Sequence, residues 1–385
     1  MASKMVRLGD CVQIDSGYAF KSSQFSDDKE GIPLIRIRDV NSGIIKTYYK
    51  GEYDDKYIVY DGDLLITMDG EFKIKKWSSG KALLNQRVCR IKSNSDSLEE
   101  DYLLYLLPSV LKKIEDKTAF VTVKHLSLKD INEVYVNIPP KNIQKKIIQV
   151  LDSSSSLIEK RKTQIAVLDE LIQSVFLDLF GDPFLNPKGF EMKQINDVAE
   201  LVKGITYKPE EVNDDGIIVL RSSNVQGNQF DTKDIVRISK KVDEKFLVKA
   251  NDILMCNRNG SARLVGKVAK IPESKEPMTF GTFMTIIRSP FFEYLFTFFQ
   301  TEAFRRQIQM QTTVAINQIS LPLLKSVKVP LPSIELQSQF ASFVQQVDKS
   351  KLALKRSLNE LENLNNALIQ KALKGELFQD QSKSK

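Results

Sequence analysis

One pattern occurs twice in this chain, and it limits the folds open to everything around it. The first copy begins at Ile138 in I-P-P-K-N-I-Q and runs to about Phe180; the second begins at Leu331 in L-P-S-I-E-L-Q and runs to about Leu373. At an offset of 193 residues they overlay without a gap. Ile147, Leu151, Ser154, Ile158, Arg161, Ile165, Leu168, Ile172, Val175 and Leu179 mark steps of four and three in the first copy. Phe340, Val344, Val347, Lys351, Leu354, Leu358, Leu361, Asn365, Leu368 and Ala372 repeat those steps in the second. A 3.5-residue repeat is the seam of a helix packed lengthwise on another helix. Roughly 40 residues at ~1.5 Å each predict two rods of about 60 Å. A Pro just before each rod suits the first helical turn, where a missing N–H costs nothing. Ser154, Arg161, Lys351 and Asn365 each overlay an apolar partner, which suits two different helices pairing with each other, their polar positions setting register. The expected pairing is antiparallel, with Ile165, Leu168, Ile172, Val175, Leu354, Leu358, Leu361 and Leu368 in its seam. Leu171 with Leu364, Phe176 with Ile369 and Phe180 with Leu373 repeat off the seam, so they pack on the chain's own domains or on a partner.

The repeat reaches beyond the rods. Residues 123–139 overlay 316–332 at the same offset, placing Ser127 on Ser320, Ile131 on Leu324, Val134 on Val327 and Val136 on Val329. Both segments end in the apolar/polar alternation of a half-buried strand. Toward the start of each half the offset drifts, as loop insertions require. G-Y-A-F-K (17–21) matches G-I-T-Y-K (204–208), and G-I-P-L-I-R-I-R-D-V (31–40) matches G-I-I-V-L-R-S-S-N-V (216–225), with Arg36 on Arg221. D-G-D-L-L-I-T (61–67) matches A-N-D-I-L-M-C (250–256), and helical runs follow at Tyr102–Ile114 and Tyr294–Ile308. The expected order is a globular domain (1–137), a helix (138–181), a second globular domain entered through a Pro/Gly-rich linker (182–330), a second helix (331–376) and a polar tail (377–385). Strands and loops with few helices and no βαβ alternation make the fold class α+β. Two globular α/β domains are separated by two long helices pairing as an antiparallel coiled coil, with an internal pseudo-two-fold repeat.

Length sets the scale: 385 residues suggest two domains with real cores. No apolar run is long enough to span a bilayer and the N-terminus lacks a signal-peptide core, so the expected location is the cytoplasm. Cys11, Cys89 and Cys256 show no paired spacing, so neither a disulfide framework nor a metal site is implied. The net charge of +7 fits a polyanionic partner. Residues 1–137 carry 21 Lys/Arg against 21 Asp/Glu, whereas residues 185–330 carry 21 against 16. Binding of acid must therefore work through local patches, most visibly in the second half.

Catalytic patterns are missing. His125 is the one histidine, which removes most imidazole-based schemes. Its repeat partner is Gln318, so its expected role is a structural hydrogen bond. No glycine-rich loop with Lys-Ser/Thr is present for nucleotide phosphates, and no G-x-G-x-x-G follows a strand. Asp182 with Glu191 and Lys193 has the residue types of a nuclease set but no second acidic cluster. No catalytic residue is expected.

The duplication, the helix entry P-P-x-x-x-Q (Pro139 to Gln144, degenerate as Pro332, Ser333 to Gln337) and the paired 40-residue helices together resemble the specificity subunit of type I restriction–modification enzymes. The resemblance covers essentially the whole chain. Ser333 departs from it, as do Ile143 and Leu336, where many members have an acidic residue before the Gln. It implies that each globular domain is a target-recognition domain reading one half of a bipartite double-stranded DNA sequence. It implies that the helices are spacers docking two methyltransferase subunits, beside restriction/translocase subunits. S-adenosylmethionine and ATP would then belong to those partners, with no cofactor on this chain and no membrane partner.

For the DNA-contacting side chains, F-K-I-K-K-W (72–77) puts Lys73 and Lys75 on one face with Lys76 and Trp77 at its end. N-R-N-G-S-A-R (257–263) offers Arg258, Asn259 and Arg263 in a loop, donors suited to phosphates and base edges. Lys21 and Lys208 follow matching aromatics after a Gly. For any one of these a solvated charged face is the alternative; Arg36 and Arg221, repeated in both halves, could equally serve folding. Two other functions fit the same residues: a protein-binding structural adaptor, and a stand-alone two-domain DNA-binding regulator.

Overall fold

The computed structural model describes residues 4–117, 124–310 and 318–378. The polar tail Q-D-Q-S-K-S-K and the start of each 123/316 overlay lie outside the described residues. The chain forms two compact units, one made of residues 1–162 with 357–385 and the other of 163–356. Each long helix, Lys141–Phe180 and Ile334–Leu373, contributes one part to each unit.

In the first unit Lys4–Arg7 pairs antiparallel with Tyr135–Ile138. A four-stranded antiparallel sheet runs Val12–Ser16, Val88–Ser93, Leu64–Thr67, Ile74–Lys76. Its third strand alternates sides: Leu64 and Ile66 join the core under helix Leu103–Lys117, while Leu65 faces Ile35, Trp77 and Leu84. Both faces are covered, which is why L-L-I-T reads as an unbroken apolar run. Five short strands form a second sheet in the order Phe25–Ser26, Tyr48–Tyr49, Ile32–Ile35, Ala82–Leu84, Ile58–Val59, with one parallel pairing, Leu34 opposite Leu83.

The second unit repeats this topology. Glu191–Gln194 pairs with Lys328–Leu331, and a sheet runs Glu200–Lys203, Met284–Arg288, Ile253–Cys256, Val268–Lys270. Ile253 and Met255 face one core and Leu254 and Cys256 the other. The parallel pairing recurs as Ile218 opposite Met278. The helical run expected over Tyr294–Ile308 is broken here into Phe292–Phe298 and Glu302–Met310. Thr301 makes the break: its hydroxyl donates back to Phe298 O at 2.7 Å and accepts from Phe304 N–H at 3.4 Å, opening the next helix.

Close backbone approach explains the paired glycines of the two G-x-x-aromatic-K segments. A Cβ on Gly17 would sit 2.1 Å from Asn85 O, and one on Gly204 would sit 2.0 Å from Gly281 O. No larger residue fits without moving the strand.

Burial along the long helices follows the seam. All the seam positions are buried or half-buried, deepest toward the N-terminal end of each helix: Ile147 and Leu151 in the first unit, Phe340 and Val344 in the second. Ile165, Leu168, Ile172, Val175, Leu354, Leu358, Leu361 and Leu368 are half-buried. Two helices alone cover a narrow stripe, and only near their ends does a globular layer close over it. The sense of pairing is antiparallel within each unit. Lys162 meets Glu362 at 3.8 Å in the first, and Lys351 meets Asp169 in the second. Off the seam, Phe176 and Phe180 are buried in the second unit's core, and Ile369 and Leu373 pack against the first unit's. Self-packing accounts for these four; Leu171 and Leu364 stay exposed.

The helix-entry glutamines are fasteners. Gln144 is fully buried; its amide donates to Ser97 O at 2.7 Å and Pro139 O at 2.8 Å and accepts from Glu99 N–H at 2.8 Å. Gln337 donates to Pro332 O at 2.8 Å, but its buried carbonyl oxygen has no partner. Gln144→Ala should therefore cost about 2–3 kcal/mol, because buried backbone groups lose their partners. Gln337→Ala should cost clearly less; equal losses in urea denaturation would refute this account of the motif.

Candidate nucleic-acid interface

The second unit contains an open cleft of about 710 Å³ lined by Tyr207, Arg221, Ser222, Ser223, Asp234 and Phe283, among others. Three chain segments converge on it. The 204–208 segment arrives beside Gly281 through a parallel bridge between Ile205 and Gly281. Arg221 ends strand Ile217–Leu220 and begins a tight turn whose backbone is closed by Asn224: Arg221 N–H donates to Asn224 Oδ1 at 2.8 Å. The third segment, 281–284, carries Phe283; outside the cleft lining, Arg258 lies over the Phe283 ring at 5.3 Å, a cation–π contact.

The turn is tied from several sides. Asn224 is fully buried and its amide donates to Asp231 O and Asp234 O, both at 2.9 Å. Lys267 Nζ donates to Ser222 O at 2.5 Å and Val225 O at 2.7 Å, and Asn259 Nδ2 donates to Ser222 Oγ at 2.8 Å. Burial lowers the Lys267 pKa, which marks how far its ammonium has left water. Arg221 Nη2 donates to Asp234 Oδ1 at 2.7 Å, while Arg221 Nε and Ser223 Oγ are buried without partners. The floor is rigid and rich in donors.

The first unit repeats the framework with other chemistry. Tyr18 bridges Asn85 as Ile205 bridges Gly281, and Asp69 bridges His125 as Arg258 bridges Gln318. Asp69 is occupied by His125 Nδ1 at 2.6 Å and Arg87 Nη1 at 3.0 Å. Here the exposed surface is aromatic, with Tyr18 half-exposed and its ring centroid 5.0 Å from that of Tyr57.

One residue singled out from the sequence needs correction. Trp77 is a core residue, 3% exposed, with its indole N–H donated to Gly80 O at 2.6 Å, so it offers no ring to a ligand. Lys76 is bound to Asp101 at 2.7 Å. The pair has an exact counterpart in register: Lys76 lies opposite Leu64 as Lys270 lies opposite Ile253, and Lys270 meets Glu293 at 2.6 Å. These pairs tie a sheet-edge strand to a helix. In the buried one, desolvation raises the Glu293 pKa. Lys73 and Lys75 do alternate with the inward Phe72 and Ile74 and are exposed, although Lys73 meets Glu71 at 2.8 Å and Lys75 donates to Asn41 O at 3.0 Å. Lys21, Lys208, Arg258 and Arg263 are exposed, and Asn259 is half-buried.

Sequence reasoning missed Phe283 and Lys267. No local pattern marks Phe283; Lys267 could have been found from its alignment with Lys73, since Cys256 N–H donates to Lys267 O as Thr67 N–H donates to Lys73 O, both at 2.9 Å. Among the described residues no group of three or more His, Cys, Asp or Glu could hold a metal, and no helix is long and apolar enough to cross a membrane.

Comparison with known proteins gives one consistent result. Residues 2–169 and 187–363 each match the type I restriction modification DNA specificity domain. The type I restriction enzyme EcoBI specificity subunit of Escherichia coli is 29% identical over 416 residues, covering 97% of this chain and 85% of that protein. Among solved structures, the S subunit of the type I restriction-modification system of M. genitalium superposes with a TM-score of 0.52 at 15% identity, covering 98% of this chain and 96% of the other. A chain from a study of complex assembly and conformational transition of the type I R-M system superposes with a TM-score of 0.57 at 16% identity, covering 98% of both chains.

Proposed function

Because this chain belongs to the type I restriction modification DNA specificity family, we propose that it reads a bipartite double-stranded DNA target and docks the methyltransferase and restriction subunits that act there. The observation that carries the reading is the duplication: each family match covers one globular half and most of the long helix after it, and each half builds the same loop framework around different side chains. Two readers with unlike surfaces suit two unlike half-sites. Each correct base is worth about 1–3 kcal/mol, so several contacts per half-site give ample discrimination.

Catalysis is left to partners. Two methyltransferase subunits would bring S-adenosylmethionine, and restriction/translocase subunits would bring ATP, in the cytoplasm. Half-exposed apolar residues on the long helices, Leu157, Leu171, Leu352 and Leu364, support docking there.

The test is to express the chain with the methyltransferase of its own locus and map modified bases genome-wide. A two-part motif with a fixed gap is expected; a single contiguous motif, or none, overturns the reading. Gel shifts with and without the methyltransferase separate the other functions: an adaptor binds no DNA, and a stand-alone regulator binds tightly alone.

Lys73 and Lys75 give a narrower prediction. If both touch phosphates, the Lys73→Ala/Lys75→Ala variant should reduce the slope of log affinity against log salt by about 2, since each phosphate contact contributes ~0.9. An unchanged slope removes this strand from the interface.

A further inference from the structure

We propose that Arg221 is a specificity-determining residue that reads one guanine in the half-site of the second unit, with Asp234 fixing its guanidinium; this rests on the recognition function above. Arg221 lines the cleft together with Tyr207 and Phe283. Its backbone is locked by Asn224, and the turn that follows is held by Lys267 and Asn259. The side chain therefore leaves from a rigid base. Guanidinium carries five N–H donors in a planar fork. Asp234 Oδ1, 2.7 Å from Nη2, occupies one of them and orients the plane. Nη1 and the second Nη2 hydrogen remain, the pair of parallel donors that matches O6 and N7 of guanine in the major groove.

A phosphate is the competing target for any arginine, and charge alone would serve it. The carboxylate argues for the base. Asp234 is an exposed anion that partly cancels the attraction of Arg221 for a phosphate, yet it is well placed to aim a bidentate contact. The first unit gives the contrast. Arg36 holds the same position, but there the acidic residue of the turn, Asp39, accepts from the Arg36 backbone N–H at 2.9 Å, and no carboxylate bonds the Arg36 guanidinium among the described residues. The guanine contact is thus assigned to one half-site only.

The experiment uses the intact complex with its own methyltransferase subunits and compares modified-site motifs for wild type, Arg221→Lys, Arg221→Ala and Asp234→Asn. Wild type should show an invariant G·C pair in the second half-site. Arg221→Lys keeps the charge but loses the fork, so discrimination at that one position should fall about 10- to 100-fold, as in Arg221→Ala. Asp234→Asn should relax the same position more weakly. The proposal is overturned if Arg221→Lys keeps the wild-type motif, if the variants lose all sites equally with a shallower salt dependence, or if the second half-site holds no invariant G·C pair. A wild-type complex without any two-part motif would instead overturn the recognition function itself. Should Arg221→Ala fail to fold, Arg221→Lys and Asp234→Asn still decide the matter.

Discussion

A fragment of residues 1–181 should elute as a dimer. In the intact chain Ile147, Leu151 and Ile158 are buried, and the first unit's core is completed by residues far along the sequence: Leu368, Ile369, Ala372, Leu373, Leu377 and Phe378. Losing those contacts at about 1.5–3 kcal/mol per large apolar side chain rivals the whole stability of a typical domain. The fragment carries its own replacement. At the repeat offset Val175, Phe176, Leu179 and Phe180 stand where Leu368, Ile369, Ala372 and Leu373 stand in the second helix. A second copy, running antiparallel, can offer those four to the first core while receiving the same from it, an isologous pair. Two mismatches weaken it. Ser154 and Arg161 would share a seam with their own copies, and Leu179 would press into the place of Ala372, which is 3% exposed. Overpacking of that kind costs about 1–3 kcal/mol. Leu179→Ala should accordingly tighten the fragment dimer. Light scattering after size exclusion decides this: a well-folded monomer that melts like the intact first unit would mean the segment 357–378 is dispensable to the core.

Removal of one ring from the second unit should be nearly as damaging. Phe176, Phe180, Tyr294 and Phe340 form a closed aromatic cluster, at most 1% exposed, with centroid separations of 4.9 to 5.6 Å. Most contacts are edge-to-face, the geometry that adds attraction beyond burial. Tyr294 cannot drift to refill a void, because its hydroxyl donates to Pro330 O and its pKa is raised by burial. Phe180→Ala should therefore leave a cavity and cost about 3–5 kcal/mol. Leu168→Asp, in the half-buried mid-seam, should cost less, since its carboxylate can reach water. Chemical denaturation followed by near-ultraviolet circular dichroism measures both. A loss below about 1 kcal/mol for Phe180→Ala would show that the cluster repacks.

Corrections fall where local pattern stops carrying information. The alternation F-K-I-K-K-W identifies the outward Lys73 and Lys75, but it says nothing of what Lys76 meets. Asp101 is 25 residues away, and it takes the register of the strand and the start of the next helix to bring the two together. Trp77 follows two exposed lysines and yet turns inward, because the chain closes a tight turn in which Gly80 O accepts its N–H. The cleft is a stronger case. Tyr207, Arg221, Asp234 and Phe283 are dispersed over more than seventy positions of sequence, and no spacing rule joins them.

Read alone, the sequence determined the two long helices, their shared seam, the duplication and the linker between the halves. Those features rest on periodicity and turn chemistry, which act over a few residues and are written into the order of side chains. Tertiary structure alone decided that each long helix is shared between two units, and that Phe176, Phe180 and Trp77 are core. It alone brought Arg221, Asp234 and Phe283 to one cleft. Each of those outcomes depends on sheet register and loop path, which bring together groups that are distant along the chain, and periodicity has no reach over such distances.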